Sequence, residues 1–84
     1  MARSNGSPRS LPNKIDRHIG QRLREVRLEK SMTVGALAAE LGIAAETLSR
    51  YESGDLRCPA SHLFLAARVL DVPLGVFFEG LRDD

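Results

Sequence analysis

Four small or polar side chains share one face of a short predicted helix in the middle of the chain. The opposite face carries Leu48 and Tyr51, whose spacing of three residues is typical of a helical core face. The shared face is small at its start and polar after it, so it could enter a groove on a partner molecule. Its members are Ala45, Glu46, Ser49 and Arg50.

The rest of the sequence does not suggest catalysis. Ser, His and Asp residues occur, but not in a pattern that indicates a nucleophile, a base and an orienting group. No glycine loop of the phosphate-binding type is present. His18 and His62 lack a partner at metal-ligand spacing, and Cys58 is the one cysteine. We therefore expect no enzyme, no metal site and no cofactor.

Two short helices joined by a tight turn position the polar face. Thr33 is the expected N-cap of the first helix, because its hydroxyl can accept a hydrogen bond from a free amide of the first turn. Gly42 follows this helix at the position that favours a left-handed conformation, and Ile43 can then return to the core. The second helix is predicted from about Ala44 to Tyr51. The apolar face of the first helix carries Leu37, Ala38 and Leu41.

Further helices are expected on both sides of this pair. Asn13 can cap the first helix of the chain, with Asp16 in its first turn, and that helix should end near Lys30. One stripe at helical spacing, apolar except for its last member, should face the core: Ile15, Ile19, Leu23, Val26 and Lys30. Pro59 suits the first turn of a fourth helix, and Pro73 should start a short last helix. No segment has the pattern of a strand, so the sequence predicts an all-α fold of five helices.

Cationic residues are concentrated at one end of the chain. Residues 1–30 hold eight Lys and Arg residues and three Asp and Glu residues. The segments 31–60 and 61–84 each have a net charge of −2. The overall charge is only +1, but this asymmetry fits an N-terminal half near phosphates and a C-terminal half that faces elsewhere. A solvated charged helix with a basic tail would give the same distribution.

Length and cysteine usage favour one small intracellular domain. The 84 residues allow a single domain, and no apolar run approaches the roughly 20 residues that span a bilayer. A lone thiol and the lack of an apolar leader favour a reducing, cytoplasmic location. We therefore expect no contact with a membrane.

The stretch from Thr33 to Glu52 resembles the helix-turn-helix of the lambda-repressor/Cro-like DNA-binding proteins. The resemblance extends from Ile19 to Phe77, about three quarters of the chain. It rests on Leu37-Ala38, Leu41-Gly42-Ile43, Thr47 to Glu52, Gly54 and Leu70-Asp71-Val72-Pro73. It implies a five-helix DNA-binding domain in which helices 2 and 3 form the helix-turn-helix. It also implies a transcriptional regulator whose recognition helix, Ala44 to Tyr51, lies in the major groove of double-stranded DNA.

The resemblance places the polar face against base edges or nearby phosphates. Arg50 can bind guanine O6 and N7 with two hydrogen bonds, or it can be held on a phosphate. Glu46 can accept from cytosine N4, or it can act only as a favourable charge at a helix N-terminus. Phosphate contacts are expected from the start of helix 2 and from the loop after helix 3, where Arg57 is the only cation. The predicted DNA-binding set is Thr33, Val34, Ala44, Ala45, Glu46, Thr47, Ser49, Arg50, Ser53 and Arg57.

The resemblance also implies a structural ion pair between Arg27 and Glu52, which would fix helix 3 on helix 1. Two separate surface charges are the alternative. The chain departs from the family pattern at Val34, where a glutamine is usual, at Ala36, where a capping glutamate is usual, and at Ala44, where Ser or Thr is usual. These departures leave few polar groups on the expected DNA face, so a monomer should bind weakly.

A homodimer on an inverted repeat would compensate for weak binding by one copy. Phe77 is expected in the core, whereas Val76, Phe78 and Leu81 are the predicted dimer contacts. Alternatively, the chain is a protein-interaction module on the same fold, such as an antitoxin that binds a partner protein through its C-terminal apolar end. The predicted division is a disordered basic tail over residues 1–12, the DNA-binding domain over 13–80 and an acidic tail over 81–84. The basic tail could lie along DNA or have no role.

Overall fold

The computed structural model describes residues 13–81, which form four α-helices and one 3-10 helix and contain no strand. The predicted all-α fold is confirmed, although the last of the five helices is a 3-10 helix. The predicted tail over residues 1–12 lies outside the described residues, as do residues 82–84. The helices are α1 (Lys14–Glu29), α2 (Val34–Leu41), α3 (Ala45–Ser53), α4 (Ala60–Leu70) and the 3-10 helix (Leu74–Phe78).

Local hydrogen bonds fix the starts of α1 and α2, and both predicted caps are confirmed. The Asn13 side chain accepts from the amide of Asp16 at 3.0 Å, and the Asp16 carboxylate accepts from the amide of Asn13 at 2.9 Å. This reciprocal pair is a capping box. At α2, Thr33 Oγ1 accepts from the amide of Ala36 at 3.0 Å. Gly42 ends α2 with a φ of 74°, in the left-handed conformation that glycine adopts at low cost.

Three predicted helix boundaries, both ends of α3 and the start of α4, differ from the structure. The second helix of the pair, α3, begins at Ala45, one residue later than predicted, and continues past Tyr51 to Ser53. Its end is fixed by Gly54, whose φ is 87°. Pro59 precedes α4 as its N-cap instead of occupying the first turn, because its ψ of 151° is extended. The carbonyl of Pro59 nevertheless accepts the first helical bond, from the amide of Leu63 at 3.0 Å.

A single hydrophobic core joins all five elements. Leu23, Leu37, Leu48 and Phe77 are completely buried, so each of α1, α2, α3 and the 3-10 helix contributes a large side chain. Met32 and Ile43 pack against this core from the connecting turns, which confirms the predicted return of Ile43 to the core. Ile15, which was expected in the apolar stripe of α1, is 48% exposed. The remaining core residues are Val26, Ala38, Leu41, Tyr51, Leu63, Ala66, Ala67 and Leu70.

A glycine allows α1 and α3 to pack backbone against backbone. A Cβ atom at Gly20 would overlap the carbonyl oxygen of Tyr51 and lie 3.0 Å from that of Glu52. Any larger residue would therefore push the end of α3 away from α1. Because α3 carries the polar face, this contact helps to set how far that face stands out from the domain.

Candidate nucleic-acid interface

The polar face of α3 is open to solvent over its whole length. Glu46, Ser49 and Arg50 are exposed, as is Ala45 at the helix start, whereas Thr47 is half-buried. Within residues 13–81, no hydrogen bond or ion pair engages the side chains of Glu46 or Arg50. The helix is thus held by its apolar side and keeps its charged groups available for a partner.

An ion pair with two hydrogen bonds fixes the end of α3 on α1. Arg27 Nε donates to Glu52 Oε2 at 2.7 Å, and Arg27 Nη2 donates to Glu52 Oε1 at 3.0 Å. Both side chains are more than nine-tenths buried. These hydrogen bonds raise the pKa of the Arg27 guanidinium above its usual value. The two residues are therefore one buried structural unit, not separate surface charges.

The same guanidinium also reaches the turn before α2. Arg27 Nη1 donates to the carbonyl of Met32 at 2.8 Å, one residue before the Thr33 cap. One side chain therefore ties α1 to the start of α2 and to the end of α3. The relative positions of the two helices of the helix-turn-helix depend on it.

The residues predicted to contact phosphates flank the α3 face on two sides. Thr33 is exposed at the start of α2, whereas Val34 is half-buried and packs against the core. Ser53 is exposed at the end of α3, where its hydroxyl donates to the carbonyl of Arg50 at 3.2 Å. The structure therefore brings these positions near the polar face, but Val34 offers no side-chain donor.

Arg57 is held on α1. Its Nε donates to Asp16 Oδ2 at 3.0 Å, the same carboxylate oxygen that caps α1. Asp16 is 9% exposed and the Arg57 side chain is 45% exposed, so the ion pair lies at the edge of the domain. This contact anchors the loop after α3 to the start of α1. From the sequence, Asp16 was expected in the first turn of α1 and Arg57 was expected to contact phosphate. Their contact with each other was not predicted.

Arg24 is a residue that sequence reasoning did not single out. In the structure this exposed residue lines a groove beside the α3 face, together with Ser49 and Ser53. Its position on α1, on the turn before Arg27, was the available signal. The sequence alone did not show that the groove would open there.

The C-terminal segment is bound to α1 and leaves one phenylalanine partly exposed. Arg22 Nε donates to the carbonyl of Val76 at 3.0 Å, and His18 Nε2 lies 2.7 Å from the carbonyl oxygen of Glu79. Phe77 is completely buried and Phe78 is 40% exposed, which matches the predicted division between core and surface. Of the other predicted dimer contacts, Val76 is partly buried against the core and Leu81 is partly buried.

The described residues offer no metal site. Over residues 13–81, no group of three or more His, Cys, Asp or Glu side chains could hold an ion. Burial raises the pKa of the Cys58 thiol to about 12, so the thiol is protonated and weakly nucleophilic at neutral pH. None of the helices between residues 13 and 81 has the length and apolar character needed to cross a bilayer.

These features define a helix-turn-helix domain whose second helix presents an open polar face. The helix-turn-helix family model, HTH_3, matches residues 23–77. The chain therefore belongs to the helix-turn-helix family, and the predicted resemblance is confirmed.

Relatives with similar sequences and structures carry the names of regulators. An uncharacterized HTH-type transcriptional regulator from Sinorhizobium medicae is 38% identical over 73 residues, which cover 87% of this chain and 52% of that protein. The restriction-modification controller protein C.AhdI from Aeromonas hydrophila has a TM-score of 0.70 at 27% identity, over 74% of this chain and 94% of that one. SinR, a master regulator for biofilm formation whose structure was solved in complex with DNA, has a TM-score of 0.66 at 32% identity. The match covers 73% of this chain and 98% of SinR. The chain spans about half the length of the Sinorhizobium relative.

Proposed function

We propose that this chain is a sequence-specific DNA-binding transcriptional regulator that acts by binding and not by catalysis. The observation that carries the proposal is the open face of α3, where Glu46, Ser49 and Arg50 are exposed on a helix that the buried Arg27–Glu52 pair holds in place. A helix held in this way can enter the major groove as a rigid body. The names of the relatives and the family membership support the same role.

The proposed contacts fall into two groups. Arg50 and Glu46 have the hydrogen-bonding groups for guanine and cytosine edges, and Ala45 can contact a thymine methyl group. Thr33, Ser53 and Arg57 would contact the backbone on either side and set the position of α3 on the duplex. The remaining residues of the proposed interface are Val34, Ala44, Thr47 and Ser49.

We propose that the active form is a homodimer that binds an inverted repeat. A single α3 presents few cations, so one copy would neutralise few phosphates and bind weakly. Leu74 and Phe78, which are 41% and 40% exposed, give the C-terminal segment apolar side chains that a second copy could cover. We propose that the protein acts in the cytoplasm.

Selection of bound duplexes from a random DNA pool at physiological salt tests this function. A two-fold-symmetric motif with half-sites about 10 base pairs apart would support a dimeric sequence-specific regulator. Enrichment of a single asymmetric site would keep the DNA-binding role and reject the dimer. Failure to enrich any sequence would count against the proposed function.

Binding to another protein is the second candidate function. The exposed Phe78 and Leu74 favour it as much as they favour a homodimer, since either partner would cover apolar surface. An antitoxin that binds a toxin through this end is one example. Co-purification of one stoichiometric partner from the native source, with no DNA enrichment by the purified chain, would favour this role.

A further inference from the structure

A groove lies beside the polar face of α3, where α1, the start of α2 and α3 meet. It is open to solvent and has a volume of about 330 Å³. Ser49 and Ser53, which lie one helical turn apart on α3, form one wall. The residues of the other walls are Arg24, Arg27, Val34 and Glu52. A duplex docked on α3 would therefore place part of its backbone over this groove.

The groove carries one unbalanced positive charge. Arg27 and Glu52 neutralise each other through their ion pair, in which the Nε–Oε2 distance is 2.7 Å. Arg24 is exposed, and no hydrogen bond or ion pair to it occurs within the part of the chain that the structure describes. The positions three and four residues away on α1 hold no carboxylate: they are Gly20, Gln21, Arg27 and Leu28.

We propose that Arg24 binds a phosphate of the DNA backbone and supplies the cation that the start of α2 lacks. This inference rests on the proposed function and identifies a contact at the same interface. The Val34 side chain can donate no hydrogen bond, whereas a guanidinium can form two hydrogen bonds to a phosphate. Because the contact is to the backbone, Arg24 would raise the affinity for every DNA sequence equally. It would not help the protein to discriminate between sequences.

The test compares three variants on one selected duplex and on an unrelated duplex of equal length. Arg24→Gln removes the cation, and Arg24→Lys retains it. Arg68→Gln is the control, because it makes the same change of net charge at an exposed residue of a separate groove formed with Asp71 and Val72. Fluorescence anisotropy would give the Kd of each protein between 50 and 200 mM salt.

Arg24→Gln should reduce the slope of log K against log salt by about 0.9, the value for one phosphate contact on duplex DNA. Its deficit in affinity should then be about 3.5-fold larger at 50 mM than at 200 mM salt, and similar on both duplexes. Arg24→Lys should restore the slope. A slope for Arg24→Gln equal to that of Arg68→Gln would overturn the inference, as would a loss confined to the selected duplex.

Different results would reject the proposed DNA-binding function and the Arg24 contact. If the wild-type chain binds no duplex, both the proposed function and the Arg24 contact are wrong. If the wild type binds and Arg24→Gln matches the Arg68→Gln control, only the Arg24 contact is wrong. A thermal unfolding curve for each variant shows whether it is folded. Replacing an exposed residue that makes no hydrogen bond or ion pair within residues 13–81 should leave the midpoint unchanged.

Discussion

Arg50 is the side chain on which sequence discrimination should depend most. It is exposed on α3 with no hydrogen-bonding partner among the described residues, so DNA binding does not first have to break an internal contact. Glu46 lies one turn earlier on the same face and carries the opposite charge. Close to DNA its carboxylate repels phosphates, so it would favour binding only where it accepts from a base.

Replacing Arg50 by Ala should weaken binding mainly to sites that hold guanine at one position. A good bidentate contact to guanine contributes about 1–3 kcal/mol of discrimination. Competition titrations with duplexes that vary one base pair at a time would locate the affected position. An equal loss on every duplex would show that Arg50 contacts a phosphate instead.

The sequence predicted which residues lie on the exposed face of α3. It predicted contacts between distant residues only in part. The exposed set on α3 followed from helical spacing, and the Arg27–Glu52 pair was implied by resemblance to a family. The contact between Arg57 and Asp16 joins residues 41 positions apart and has no local signal in the sequence. For Arg24 the position on the turn before Arg27 was the only signal, and it was not sufficient because the importance of Arg24 depends on how α1 meets α2 and α3.

At the scale of elements, the buried ion pair positions α3 on α1. Arg27→Met would leave the Glu52 carboxylate buried without a partner, which costs about 3–5 kcal/mol. A double replacement of Arg27 and Glu52 by Met removes both charges and should recover much of that loss. Thermal unfolding followed by circular dichroism would measure both variants. Wild-type stability in the single variant, or a double variant less stable than the single one, would contradict this role.

Two glycines allow a matched test of how closely the helices approach. A Cβ atom at Gly20 would overlap the backbone of Tyr51, so Gly20→Ala should destabilise the domain by about 1–3 kcal/mol. A Cβ atom added at Gly35 in α2 would meet no other atom within 4 Å, so Gly35→Ala should stabilise the domain by about 0.5 kcal/mol. Urea unfolding midpoints should move in opposite directions. A shift in the same direction for both would reject close backbone packing as the cause.

The elements themselves were predictable where their determinants are local. The caps at Asn13 and Thr33 and the glycine end of α2 depend on residues within four positions, and all three were confirmed. Helical periodicity placed Ile15 on the apolar side of α1. It did not show whether a neighbouring element would extend far enough to cover the first turn of α1. The contacts that hold the last helix are likewise not local. Its Val76 carbonyl accepts from Arg22, which lies 54 positions earlier in the chain.

At the scale of the whole molecule, the chain presents two surfaces of different chemistry. The α3 face is polar and borders the groove with Arg24, whereas the C-terminal segment presents Phe78 and Leu74. α1 connects them, since it contacts α3 through Arg27 and the C-terminal segment through Arg22. This arrangement would allow one copy to hold DNA and a second copy at the same time.

Replacing Phe78 by Glu should produce a monomer that binds DNA more weakly, because a charge would then face the apolar surface of the second copy. Leu28→Glu is a suitable control, because Leu28 is 54% exposed on α1. Sedimentation velocity would report the oligomeric state. An unchanged dimer in Phe78→Glu, with no loss of any protein partner, would reject both proposed uses of this surface.

The most direct test of the DNA-binding role is an NMR titration of the labelled protein with the selected duplex, with amide shifts followed over residues 13–81. The largest changes should fall on residues 45–50, the start of α2 and the loop around residues 53–57, and the 3-10 helix should change little in a form that is already dimeric. Changes confined to the C-terminal segment, with α3 unaffected, would contradict the proposed function.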